Sequence, residues 1–267
     1  MTDFNAILIA AGRGSRLQGF TEERPKCMVT VDDRSILHYL TDALDHPRID
    51  QLHIVRGYLR HQLTVPGATY HHNRDWPHNN ILHSLFCARQ AMAPGFVSTY
   101  SDIIYPPEVV DAAIAALNPR DTHIALVVDR QWASTYVDRQ DHPIAQAELV
   151  EVRGDRVTAV GKHVGPDEAI GEFIGLAAHS ATGARWMRQA FEALESKLDA
   201  DDPFRHGRPF RLAYLADLYE ALIECGHPIS WVPIDGGWRE IDTVEDLASV
   251  RQDWPLLSLT SSDPRHD

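Results

Sequence analysis

The sequence predicts an α/β fold, a mixed and mostly parallel sheet covered by helices. Three observations carry it: short apolar runs that stop at glycine, aspartate or a turn, helically spaced segments between them, and a hairpin pattern near the middle. The chain has 267 residues, of which 44% are hydrophobic and 24% charged. That length suits one large domain or two small ones, and the composition excludes wholesale disorder, collagen-like repeats and coiled coils.

The first strand is the continuous apolar run 6–11, stopped by Gly12-Arg13-Gly14, the pattern of a parallel strand buried on both faces. Ser35 is placed to cap a helix carrying Ile36, Leu37, Leu40 and Leu44, and 52–55 is the next strand. Asn79-Asn80 precedes a helix with Ile81, Leu82, Leu85 and Phe86, Pro94-Gly95 ends it, and strand 96–101 leaves Asp102 at its carboxyl end. Pro107 opens a helix through Leu117, and strand 124–128 ends at Asp129. Residues 148–152 and 156–160 flank Gly154-Asp155 with alternating polarity, which predicts an inserted antiparallel lid. Strand 173–178, helices 181–198 and 212–225, and strands 229–233 and 238–241 follow, and Thr243 with Asp246 approximates a capping box for a last helix. The expected organisation is a single domain over 1–257, with a core of about 1–130 and 171–257, an insertion of about 131–170 and a polar, frayed tail at 258–267.

The formal net charge is −13, which argues against nucleic-acid binding through many phosphate contacts. Cys27, Cys87 and Cys225 are too few and scattered for a zinc knuckle or disulfide framework, which fits a reducing cytosol. The start lacks the layout of a signal peptide, and no run approaches the roughly 20 apolar residues of a membrane span. A cytoplasmic protein without a membrane partner is expected, as a homodimer if it follows the commonest assembly. Lysine occurs only at 26, 162 and 197 among 25 cations, so each compact ammonium draws attention. Among 15 histidines, His71-His72, His78 and His83 cluster without an acidic partner at metalloprotease spacing, and no zinc or iron site is expected.

The strongest chemical signal is Gly12-Arg13-Gly14-Ser15-Arg16 followed by Pro25-Lys26. A glycine turn after a strand lets phosphates approach backbone N–H groups, and Arg16 and Lys26 add positive charge. It is neither a dinucleotide fingerprint, which wants glycine at Leu17, nor a Walker A loop, which wants Gly-Lys-Ser/Thr after four spacers.

These residues resemble the signature of nucleotidyltransferases that activate sugar phosphates and related acceptors. Segments 79–85, 100–104, 161–162, 171–175 and 238–243 are most similar to the bacterial phosphocholine and phosphonate cytidylyltransferases, which use aminoethylphosphonate or phosphonoformate. The resemblance implies a Rossmann-like sheet of the nucleotide-diphospho-sugar transferase type. It also implies attack of an acceptor phosphate or phosphonate oxygen on the α-phosphorus of CTP, with pyrophosphate leaving. Joining two anions demands local cancellation of their repulsion.

The expected metal is Mg²⁺, shared by Asp102 and Asp242, with Glu240 in support because residues two apart on a strand face the same way. Arg16 would steady the β- and γ-phosphates, Lys26 would reach the α-phosphate and Lys162 would hold the acceptor's phosphonate. The nucleotide is expected against Ala10, Ala11, Gly12, Gly14, Ser15 and Arg16, with Asn80, Ser84 and Ser101 opposite. Asn80 is equally suited to be a helix N-cap. For the acceptor, Asp129, Trp132, Tyr136 and Lys162 are the candidates. Asp129 suits an aminoalkyl phosphonate, Arg130 or Arg139 a carboxylated one, and Trp132 with Tyr136 is either a cage for a quaternary ammonium or core packing. Rival readings are a sugar-1-phosphate nucleotidyltransferase using UTP or dTTP, a glycosyltransferase, which usually shows Asp-x-Asp where this chain has only Asp102, and a noncatalytic nucleotide-binding homologue.

Overall fold

The first strand explains the architecture. β1 (Phe4–Ala10) sends Phe4, Ala6, Leu8 and Ala10 into one apolar core and Ile7 and Ile9 into another. A continuous apolar run is what a strand between two cores requires. The computed structural model describes residues 4–118, 120–137 and 139–260, with backbone alone for 255–260.

After β1 the chain passes through a small hairpin, β2 (Thr30–Val31) and β3 (Arg34–Ser35), into α1 (Ile36–Ala43), whose first turn is capped by Ser35 accepting from His38 N. β4 (Ile49–Arg56), β5 (Thr69–His72), α2 (Ile81–Phe86), β6 (Gly95–Tyr100), β7 (Ile103–Ile104), α3 (Pro107–Ala115) and β8 (Ile124–Asp129) follow. β9 (Leu149–Arg153) and β10 (Arg156–Gly161) form the expected hairpin. The chain ends through β11 (Gly171–Ser180), α4 (Ala181–Glu195), α5 (Leu215–Glu224), β12 (Ser230–Ile234), β13 (Arg239–Glu240) and α6 (Val244–Thr260).

Nine strands make one sheet in the order β5-β4-β1-β6-β11-β8-β12-β10-β9. β5, β4, β1 and β6 are parallel, as are β8 and β12, while β11 runs antiparallel between β6 and β8. Side chains of α1, α3 and α6 fill one core and those of α2, α4 and α5 the other. The sheet is thus mixed and Rossmann-like.

Several features depart from the expected elements: β5 was not foreseen, and α2 stops at Phe86 rather than at Pro94-Gly95. The hairpin continues the main sheet, because β10 pairs with β12 and β9 with β11. Strand 238–241 contracts to two residues that, among the described residues, pair with β7 and not with the main sheet. The tail expected from 258 is helical through Thr260, and 261–267 lie outside the described residues. β11 changes register between Phe173 and Ala177. Gly175 sits there at φ +85, where a Cβ would come within 2.4 Å of the Tyr100 ring, so only glycine accommodates both the left-handed backbone and that ring. Among the described residues no helix is long and apolar enough to cross a membrane.

Candidate active site

The ribbon of β7 and β13 assembles the centre. Glu240 pairs with Ile103, and Ile241 N donates to Asp102 O at 2.7 Å, so two carboxylates far apart in sequence meet. The start of α6 then fixes Asp242. Asp246 Oδ2 accepts from Asp242 N (3.0 Å) and Thr243 N (2.8 Å), while Asp246 N donates back to Thr243 Oγ1 (3.1 Å). This is the capping box expected from the sequence, and it sets the backbone of a site residue.

Lys26 lies between the two carboxylates. Its Nζ is 2.8 Å from Asp102 Oδ2 and 2.5 Å from Asp242 Oδ1. Burial alone would push this ammonium down, but Asp102 and Asp242 outweigh burial and raise it. Burial likewise opposes ionisation of Asp242, yet Lys26, Arg16 and His142 hold that carboxyl below its ordinary value. Gly14 makes the arrangement possible: its φ is +67, and a Cβ there would lie 2.7–2.9 Å from the Lys26 stem. The loop glycine therefore serves a close side-chain approach as well as a turn. Arg16, with its side chain 51% exposed, reaches Asp242 Oδ2 at 2.6 Å.

Two cavities meet at Arg16, Asp102 and Asp242. The first, about 300 Å³, is bounded by Ala11, Gly12, Gly14, Ser15 and Lys26 on one side and by Asn80, Ser84 and Ser101 on the other. Ala10 ends β1 and is buried, its side chain in the core. Asn80 occupies the N-cap position of α2 but makes no side-chain cap there; its Nδ2 donates to Leu212 O at 3.1 Å. Ser84 accepts from Asn73 Nδ2 at 2.9 Å. Trp76, Asn73 and Asn79 also belong to this wall or brace it. Asn79 lies in the segment 79–85 singled out in the sequence, whereas Asn73 and Trp76 were missed, since they lie in a loop after β5 without periodicity.

The second cavity, about 190 Å³, is lined by both Lys162 and Arg16. Lys162 Nζ is 2.8 Å from Gln146 Oε1, 3.4 Å from Tyr214 OH and 4.6 Å from the Tyr214 ring centroid. Its walls include Glu148, Glu172 and Glu240. Burial pushes Glu148 up to about 7 and Glu172 up to about 8. Glu240 is also raised, first by burial and then by Asp102, against the pull of Arg139. Tyr100 OH donates to Glu148 Oε2 at 3.0 Å, and Tyr136 OH to Glu172 Oε1 at 2.6 Å.

Glu240 joins His142 and Asp242 in a group whose ligand atoms lie within 4.8 Å of one another. Its Oε2 is 3.0 Å from Arg139 Nη2 and 3.5 Å from His142 Nδ1. Burial, then Arg139, lowers His142 to about 4. His142 was not foreseen, because nothing near it in sequence marks it.

Three acceptor candidates lie elsewhere. Asp129 is fully buried, and its carboxylate accepts from Gln131 N (2.9 Å), Gly236 N (2.8 Å) and Trp238 Nε1 (2.8 Å). With both oxygens committed, it anchors loops rather than a ligand. Trp132 is buried with Ala147, Leu149 and Val164. Tyr136 meets it edge-on at 5.8 Å, and the Arg139 guanidinium already lies 5.0 Å from the Tyr136 ring centroid. The aromatic pair is core packing with an internal cation, and neither ring lines the Lys162 cavity. Arg130 pairs with Asp235 and Arg139 with Asp246 and Glu240. A larger cavity of about 490 Å³ opens beside Arg139 and Trp238, away from Arg16 and Lys26.

The family model of the MobA-like NTP transferase domain matches residues 6–228. The chain is 31% identical over 255 residues to the CTP:phosphoglutamine cytidylyltransferase of Campylobacter jejuni, covering 91% of this chain and 97% of that protein. The solved structure of CTP:phosphocholine cytidylyltransferase from Streptococcus pneumoniae superposes with a TM-score of 0.70 at 19% identity, over 94% of this chain and 99% of that one. The inositol-1-phosphate CTP transferase from T. maritima gives 0.71 at 19% identity, over 98% and 99%. These two likenesses show the fold, and the matched family model shows the class. The chain belongs to the MobA-like NTP transferase domain family and is a nucleotidyltransferase.

Proposed function

We propose that the protein joins CMP from CTP to a small phosphorylated or phosphonate acceptor that carries a cationic group, releasing pyrophosphate. The observation that carries this reading is the junction of two cavities at Arg16, Asp102 and Asp242, with Lys26 bridging the two carboxylates from the first. The nucleotide occupies the glycine-loop cavity and the acceptor the Lys162 cavity. One acceptor oxygen forms a bond to the α-phosphorus as the bond to the β-phosphate oxygen breaks, and pyrophosphate departs with that electron pair. An acceptor oxyanion needs no base, so positioning and charge carry the rate. Lys162 and Arg16 hold the acceptor's anionic end, while Lys26 and Arg16 offset charge on the triphosphate.

Asp102 and Asp242 suit Mg²⁺. Asp102 Oδ1 is buried without a hydrogen-bond partner among the described residues, and carboxylate oxygens are the donors a hard cation prefers. Bound there, the ion would neutralise phosphate charge, with Glu240 and His142 as neighbours of Asp242.

Glu148 and Glu172 support an acceptor with an ammonium end, since a cation would offset the burial of their charge. CTP is supported by the Campylobacter relative. The test is a pyrophosphate-release screen of four nucleoside triphosphates against phosphocholine, 2-aminoethylphosphonate, phosphonoformate, phosphorylated glutamine and glucose-1-phosphate. Turnover with CTP and an acceptor that carries an ammonium group, primary or quaternary, is expected. Turnover confined to UTP or dTTP with glucose-1-phosphate would overturn the reading in favour of sugar activation.

A further inference from the structure

On the far side of Lys162 lies a cluster that the transfer reaction does not use. His163, just beyond β10, His206, in the turn 205–207, and Glu220, on α5, bring three ligand atoms within 4.8 Å of one another. His163 Nε2 is 3.0 Å from Glu220 Oε1, and His206 Nε2 is 3.3 Å from Glu220 Oε2. The imidazoles stack with centroids 4.2 Å apart and planes 24° apart, and each reaches one oxygen of the same carboxylate.

We infer that His163, His206 and Glu220 form a binding site for a borderline-soft divalent cation such as Zn²⁺, separate from the carboxylate centre that suits Mg²⁺. A tetrahedral metal with bonds of roughly 2.1 Å places its ligand atoms about 3.4 Å apart. The N···O separations run to different oxygens of Glu220, 3.0 Å to Oε1 and 3.3 Å to Oε2, so each imidazole lies near that edge length from one carboxylate oxygen and a small turn of the carboxylate closes the set. Two imidazoles and one carboxylate favour zinc over magnesium by donor softness.

The scaffold holds this geometry. His206 has φ 56 and is followed by Gly207 at φ 72, a left-handed pair that is costly for a non-glycine residue unless its surroundings impose it. Backbone bonds from Phe204 N to Arg208 O (2.7 Å) and from Arg208 N to Arg205 O (3.1 Å) close the turn. Glu220 is buried on α5, a helix whose residues pack in the core beside β10. Among the described residues Arg205 is the guanidinium that pairs with Glu220, at 3.4 Å, and its closer partner is Glu224 at 2.9 Å. Both histidines line a cavity of about 220 Å³, which leaves room for water or a ligand atom to complete the coordination.

The test uses the full chain, stripped with chelator and dialysed against Zn²⁺ in excess Mg²⁺, with zinc counted by mass spectrometry and geometry read from Co²⁺ visible absorption. About one zinc per chain and a tetrahedral cobalt spectrum are expected. The double variant His163→Gln/His206→Asn should bind zinc more than ~100-fold more weakly, asparagine being chosen because it tolerates the left-handed turn. Glu220→Gln should weaken it too, and circular dichroism melts check that both variants fold. The control pair His53 and His71, whose ring nitrogens lie 3.0 Å apart, is changed to glutamine in parallel and should leave binding intact. Zinc retained in the folded double variant, lost only from the control, or absent from the parent would overturn the site.

Discussion

The two cavities differ in how their charges are settled. On the glycine-loop side, Lys26 and Arg16 are matched to Asp242, and Lys26 also to Asp102. On the Lys162 side, Glu148, Glu172 and Glu240 all sit above their ordinary range, and one ammonium faces them, held by Gln146 and Tyr214. The first side is a counterion set in which each carboxylate meets a cation; on the second, Arg139 reaches Glu240 while burial raises Glu148 and Glu172. Preassembled charge suits a reactant whose phosphates always look the same, and unbalanced carboxyls suit selection of a cationic one.

This contrast breaks most readily at the carboxylate pair. Asp102→Asn or Asp242→Asn should cut pyrophosphate release by about 10³-fold or more in steady-state assays. Activity near the parent level in both would dissolve the distinction between the sides.

A smaller effect separates the two cavities. Lys162→Met should lower kcat/KM for the acceptor by about 10–100-fold, the worth of a charged hydrogen bond, while KM for CTP stays unchanged. A matching rise in the CTP KM would move Lys162 to the nucleotide side.

Stability against pH sharpens the comparison, because the sides should respond with opposite sign. Asp242 is held below its ordinary value, so its contribution is present above that value and lost as pH falls. Glu172 is pushed up to about 8 by burial. Between its ordinary range and about 8 the folded chain binds the proton that the unfolded chain releases, so stability declines as pH rises through that window. Glu172→Gln removes the decline and keeps an acceptor for Tyr136 OH. Its melting temperature relative to the parent should therefore climb from pH 5 to pH 9, and a flat difference would refute the buried acid.

The smallest effect is expected at Trp132. Trp132→Phe trims a packed core residue and should leave the acceptor KM within about twofold, less than loss of a desolvated cation–π partner would cost. A larger rise confined to phosphocholine would restore the aromatic cage.

The glycine-loop side was legible because its parts are local. A strand buried between two cores, the Gly12–Arg16 turn, and Thr243 with Asp246 capping α6 each leave a short-range pattern. Asp129 was misjudged because a strand-end aspartate looks the same whether it faces a ligand or, as here, accepts three hydrogen bonds from its own loops. His142, Glu148 and Glu172 were missed because their role lies in burial and in partners such as Tyr100, Tyr136 and Arg139.

The sequence by itself determined the α/β alternation, the mixed sheet, the nucleotidyltransferase class and which charged residues flank the glycine loop. Periodicity, capping and glycine turns are properties of neighbouring residues. Only the tertiary structure decided that β9 and β10 extend the sheet, that Lys26 bridges Asp102 and Asp242, and which carboxyls wall the second cavity. Those outcomes depend on desolvation and on contacts between distant segments, which no local pattern encodes.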